Sequence, residues 1–152
     1  MVISLPPEQK EAFSGRTSRR RRLNYEVGSM SDKIKSFTDL DTWKEAHKLV
    51  IAVYKITQKF PKEEMFGLTS QLRRAAVSVT SNIAEGFSRK SYSEKIQFYF
   101  TALGSLTEVQ NQLLVAKDVD YIDKKNFDLL ANQTVIVSKL LNGLIKKSRT
   151  YS

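Results

Sequence analysis

The chain has no cysteine and only one histidine and one tryptophan. Without cysteine there are no disulfides, thiolate metal sites or cysteine nucleophiles, a composition compatible with the cytosol. A single histidine, His47, cannot build a multi-histidine metal site, and no triad surrounds it in the sequence. It lies near Trp43, Val50 and Tyr54 in helical projection and reads as a partly buried structural residue. The few glycines, Gly67, Gly86, Gly104 and Gly143 among them, form no phosphate loop. No Glu-x-x-His pair suggests a di-iron bundle. Glu63-Glu64 read as an acidic pair at a helix start, where the helix dipole favours them. No apolar run approaches the roughly 20 residues of a membrane span. The opening residues, with Pro6 and Pro7, lack a signal-peptide core. The chain therefore reads as a non-enzymatic, cytoplasmic protein with no metal, no cofactor and no membrane partner.

What is present is charge and helix. Twenty-five basic residues face 16 acidic ones, for a formal net charge of +9. An anionic partner fits that balance, RNA first among polyanions, and so does a plain basic surface. At 152 residues and 17.4 kDa the chain can bury a core as one domain.

The sequence divides near residue 36. Residues 1–36 read as a flexible basic arm with Arg19-Arg20-Arg21-Arg22, Pro6, Pro7 and Gly28-Ser29 but no helical period. The arginine run suits phosphate backbones and equally suits a solvated tail. Gly28-Ser29-Met30 looks like a junction before a native start codon, so the arm reads as appended or as a mis-annotated extension. Residues 37–149 read as four helices, and 150–152 as a tail.

The first helix is expected from about Leu40 to Lys59, opened by Thr38 or Asp41 and stopped by Pro61. The second ends near Gly86. The third opens on the capping-box pattern Ser91-x-x-Glu94 and runs to about Asp118, and the fourth runs to about Lys147. The loops are short, which predicts antiparallel neighbours in an up-and-down four-helix bundle.

The second helix is the most informative. Leu68, Leu72, Ala75, Ala76, Val79 and Ile83 share one face, while Gln71, Arg74, Ser78, Asn82 and Glu85 form a polar line directly beside it. Polar groups flanking a buried stripe need partners, either a ligand or a neighbouring helix. The expected partners are Thr101, Ser105 and Glu108 on the third helix, with Arg74–Glu108 as an ion pair and Ala102 and Gly104 allowing close approach. A register-fixing role is preferred.

Together with Phe60-Pro61-Lys62-Glu63-Glu64 and Gly67-Leu68, this stretch resembles the 23S rRNA intervening-sequence proteins, a four-helix-bundle family that includes accessory proteins of diversity-generating retroelements. Val79-Thr80 departs from the Ile-Pro frequent there. The resemblance implies a ring of five subunits and no defined reaction. It begins near Phe37 and leaves the arm outside the fold.

The third and fourth helices carry wide apolar arcs. Phe98, Ala102, Val109, Leu129, Ile136 and Leu140 form an expected second face, which either self-association or packing on more than one side within the chain would cover, self-association being preferred. The leading reading is a homo-oligomeric helical scaffold, a cyclic pentamer, encoded with a ribosomal RNA intervening sequence or a similar element. The alternative is an RNA binder, with Arg73, Arg89, Lys90, Lys146, Lys147 and Arg149 as carriers, or an accessory subunit of a reverse transcriptase.

Overall fold

The computed structural model describes residues 33–152. Residues 1–32, which hold the arginine run and the junction at Gly28-Ser29-Met30, lie outside the described residues. Four long helices follow in order: α1 (Asp41–Thr57), α2 (Leu68–Ser88), α3 (Tyr92–Asp118) and α4 (Lys124–Arg149). Single 3-10 turns at Phe37–Asp39 and Lys62–Glu64 precede α1 and α2, and there is no strand among the described residues.

The helix starts follow local chemistry. Ser91 Oγ accepts from Glu94 N at 3.2 Å and donates to Glu94 Oε2 at 2.9 Å, so the capping box opens α3. Asp123 Oδ1 accepts from Asn126 N at 2.8 Å to open α4. Neither Thr38 nor Asp41 caps α1. Leu40 holds that position with no side-chain bond, and the capping box lies earlier, between Ser36 and Asp39. Backbone donors at Lys35 and Ser36 hold the exposed Asp39 carboxyl below its usual pKa. Between α3 and α4 the chain turns through Asp120, whose φ of 65° is a left-handed conformation that Asp tolerates better than most side chains.

Each helix packs against two others. α2 lies between α1 and α3, and α4 closes the circuit by packing on both α3 and α1. The core runs through all four: Leu49 and Val53 from α1, Leu72, Val79 and Ile83 from α2, Leu106 and Leu113 from α3, and Val137 and Leu141 from α4. The stripe expected on α2 is therefore the stripe buried. Thr134, fully buried, donates to Ala131 O at 2.7 Å and accepts from Gln110 Nε2 at 3.1 Å.

The close approach of α2 and α3 comes from a different glycine than expected. Gly104 is exposed with open space around it. Gly86 is buried against Tyr99 and Phe98, where a Cβ would stand 2.6 Å from Tyr99 Cε1.

Ala102 and Val109, expected on a second face, are fully buried inside the chain. α3 is covered by α2 on one side and α4 on the other, so its wide apolar arc is used within the fold. No area remains on either residue for a partner subunit. Phe98, Ile136 and Leu140 are half-buried, and only Leu129 of that set stands well out, at 62% exposure.

Candidate functional site

The polar line of α2 lies along the rim of two grooves. On the α3 side, Gln71, Arg74 and Ser78 line an open cleft with Ser105, Glu108 and Gln112. Ser78 Oγ and Ser105 Oγ are 2.8 Å apart, a direct side-chain bond between the polar line and α3. Asn82 turns back on its own helix, donating Nδ2 to Ser78 O at 2.8 Å and to Ser78 Oγ at 3.1 Å. Thr101 donates to Gln97 O within α3. Arg74 and Glu108 share the cleft without forming an ion pair, since both are exposed and water competes for them. The polar line's contact across the α2–α3 seam is thus a serine pair extended by Asn82, while Gln71, Arg74 and Glu85 are exposed.

On the α1 side, α2 forms a broader groove of about 640 Å³, lined by Tyr54, Met65, Arg73, Val77, Ser81 and Glu85 among others. Arg73, expected among the RNA carriers, is half-buried here. Its Nε donates to Thr57 Oγ1 at 2.9 Å and its guanidinium lies 4.7 Å from the centre of the Tyr54 ring. Thr57 Oγ1 in turn donates to Val53 O at 2.7 Å. An arginine held on both faces joins α1 to α2 and is poorly placed for phosphate.

The other basic residues gather at one end of the helical body. Arg89 and Lys90 occupy the short connection between α2 and α3, and Lys146, Lys147 and Arg149 the last turns of α4; all five are exposed. Ring contacts join these segments. Tyr92 and Tyr151 stack with centroids 5.4 Å apart, and Arg149 lies 5.5 Å from the centre of Phe100. Arg89 covers Phe98 at 4.6 Å. Lys95 is used structurally, donating to Phe87 O at 2.5 Å to close the end of α2, and burial lowers its pKa.

His47 differs from expectation in being exposed, lying flat on Trp43 at 4.7 Å. Glu64 does more than sit at a positive helix end. Its Oε2 accepts from Leu68 N at 2.9 Å, and its Oε1 accepts from Tyr121 OH at 3.1 Å, joining the start of α2 to the α3–α4 turn. Among the described residues no group of three or more His, Asp and Glu could hold a metal ion, and no helix is long and apolar enough to cross a membrane.

Sequence reasoning passed over two features. The first is a set of exposed apolar side chains at the α1–α2 groove: Tyr54, Met65 and Val77 line it, and Phe66, 96% exposed, follows Met65 in the chain. Met65-Phe66 directly before Gly67 was the available signal. The second is the set of exposed rings at the basic end, Tyr92, Phe100 and Tyr151, which sit off the main apolar stripe of α3 or beyond the end of α4.

An all-α protein with one four-helix core and a polar helix edge is the class these features define. The chain belongs to the 23S rRNA-intervening sequence protein family, whose sequence pattern it matches over residues 38–143. Its fold is similar to that in a crystal structure of a protein of unknown function from the S23 ribosomal protein family of Bacteroides thetaiotaomicron VPI-5482. That likeness has a TM-score of 0.64 at 20% sequence identity and covers 69% of this chain and 95% of that one. No curated protein matches the chain.

Proposed function

We propose that this chain is a non-enzymatic, self-assembling helical scaffold: an antiparallel up-and-down bundle that closes into a cyclic homo-oligomer, with five subunits the expected number. The observation that carries the reading is Phe66. A phenylalanine 96% exposed, next to Met65 at 51% and beside a groove that also exposes Tyr54 and Val77, is apolar surface that another copy would remove from water. A subunit that sets this patch against a different surface of its neighbour makes a head-to-tail contact, the kind that closes into rings.

The antiparallel order is supported by pairings across the α2–α3 seam. Passing along α2 from Ser78 to Gly86, the partners on α3 descend from Ser105 to Tyr99. Family membership supports a role beside a ribosomal RNA intervening sequence or a similar element.

Light scattering of the full chain at micromolar concentration tests the proposal. A defined species several times the 17.4 kDa protomer is expected, and Phe66→Ser with Met65→Ser should reduce it to protomers of unchanged helicity. A monodisperse 17.4 kDa species from the parent chain overturns the reading.

A further inference from the structure

We propose that the end of the helical body formed by the α2–α3 connection and the last turns of α4 binds single-stranded nucleic acid, with bases stacked on exposed rings and phosphates held by the surrounding cations. This goes beyond self-assembly and does not depend on it.

Three rings stand out at this end: Tyr92 is 39% exposed, Phe100 47% and Tyr151 61%. Ring pairing fixes how they are presented. Tyr151 stacks on Tyr92 at an interplanar angle of 29°, and Arg149 lies over Phe100, so each ring on α3 has a partner that holds it in place while part of it still faces water. From residue 92 to residue 100 the helix rises ~12 Å at 1.5 Å per residue. That length matches roughly three to four base steps at ~3.4 Å each.

The charge around the rings has one dominant sign. Residues 85–95 and 142–152 hold six basic residues and two acidic ones. One of the two acids, Glu94, is engaged by Ser91 Oγ at the start of α3. Of the cations, Lys95 is used on Phe87 O and Arg89 and Arg149 lie over Phe98 and Phe100, which leaves Lys90, Lys146 and Lys147 as the exposed cations for phosphates. A protein surface whose apolar groups were meant for another protein would not need that density of cations. Rings interleaved with cations match a chain of phosphates carrying exposed base faces. Such rings favour a single strand over a duplex, because paired bases keep their faces stacked inside the helix.

The experiment uses the full chain carrying Arg19→Ala, Arg20→Ala, Arg21→Ala and Arg22→Ala, which removes the arginine run as a competing site. Fluorescence anisotropy with labelled oligo-uridine, oligo-thymidine and a duplex of equal length gives the affinities across a salt series. Expected is saturable binding of both single strands, about tenfold tighter than the duplex. Phe100→Ala and Tyr151→Ala should each weaken single-strand binding by at least about fivefold without changing the salt slope, stacking being worth ~1–3 kcal/mol per base. Tyr151→Phe, which keeps the ring, should bind like the parent. Lys146→Ala with Lys147→Ala should flatten the salt slope by roughly 1.4, at ~0.7 for each single-strand phosphate that is no longer neutralised.

Circular dichroism and light scattering on the same variants show whether fold and assembly are intact. Loss of binding with oligomer size unchanged supports the site independently of the scaffold reading. The proposal is overturned by equal affinity for duplex and single strand, by alanine variants that bind like the parent, or by binding that disappears once Arg19 to Arg22 are replaced.

Discussion

Gly86 and Tyr99 meet so closely across the α2–α3 seam that a single methyl group on the glycine would stand 2.6 Å from one ring carbon and 2.9 Å from the next. The same methyl would lie 3.0 Å from Phe98 Cβ, so the obstruction has two parts on one rigid helix.

Gly86→Ala is therefore expected to destabilise the fold. Overpacking costs ~1–3 kcal/mol, which outweighs the ~0.5–1 kcal/mol that alanine gains over glycine inside a helix. Gly104→Ala and Gly143→Ala, both exposed with open space around them, should instead stabilise by ~0.5–1 kcal/mol. Denaturant titration of the three variants checks the opposite signs. A stabilised Gly86→Ala contradicts the seam geometry.

Burial pushes the Tyr99 phenol up to about 12, with nearby Tyr92 adding to the shift. The folded state thus holds the proton more tightly than the unfolded chain, whose tyrosines titrate near ~10. The stabilisation from this group is complete below about pH 10 and is lost as pH rises towards 12. Tyr99→Phe should remove that part of the alkaline loss of stability. Denaturation midpoints of parent and variant, compared between neutral pH and the alkaline range, measure it. Parallel pH profiles count against a buried neutral phenol.

Arg73 and Thr57 provide a test of the α1–α2 seam. Arg73→Ala removes a hydrogen bond from a charged donor together with the stacking on Tyr54, and should cost about 1–2 kcal/mol given partial exposure. Thr57→Val removes the acceptor. A double-mutant cycle by denaturant titration should show coupling of about 0.5–1 kcal/mol. Additive effects would mean the bond contributes nothing measurable.

Glu64 holds Tyr121 through the 3.1 Å bond to its hydroxyl, and that bond is the main reason the Tyr121 pKa lies above its usual value. Glu64→Gln keeps a carbonyl acceptor but removes the charge, so the Tyr121 titration followed by tyrosinate absorbance should move down. Tyr121→Phe identifies the step, and an unmoved titration contradicts the contact.

The core was legible because helical periodicity marks which residues are buried: Leu72, Val79 and Ile83 lie inside as their spacing requires. The capping box at Ser91 was legible for the same reason, since it is local chemistry. What lay beyond local pattern was the identity of the neighbour. Ala102 and Val109 belong to an arc too wide for one partner, and sequence cannot say whether the second cover is α4 or another copy. Arg73 and Arg74 are adjacent and chemically identical, yet one is held over Tyr54 and the other faces solvent. Only the position of α1 separates them. The exposed rings at the basic end were obscured because aromatic residues on a helix look like core until the fold shows which side they occupy.

The order in which the helices touch also bears on how the chain folds. Three of the four seams join helices adjacent in sequence, and only the α1–α4 seam brings distant segments together. There Gln133 Nε2 donates to both the backbone and the side chain of Glu45, 88 residues away. Burial raises the Glu45 pKa, but the bonds from Lys48 and Gln133 together outweigh it and leave the net shift downward. Near-neighbour contacts form early because they close short loops, and the long-range seam must wait for the rest of the chain to come together. Closing α4 onto α1 is then the late step, so replacing Gln133 should speed unfolding while leaving the refolding rate nearly unchanged.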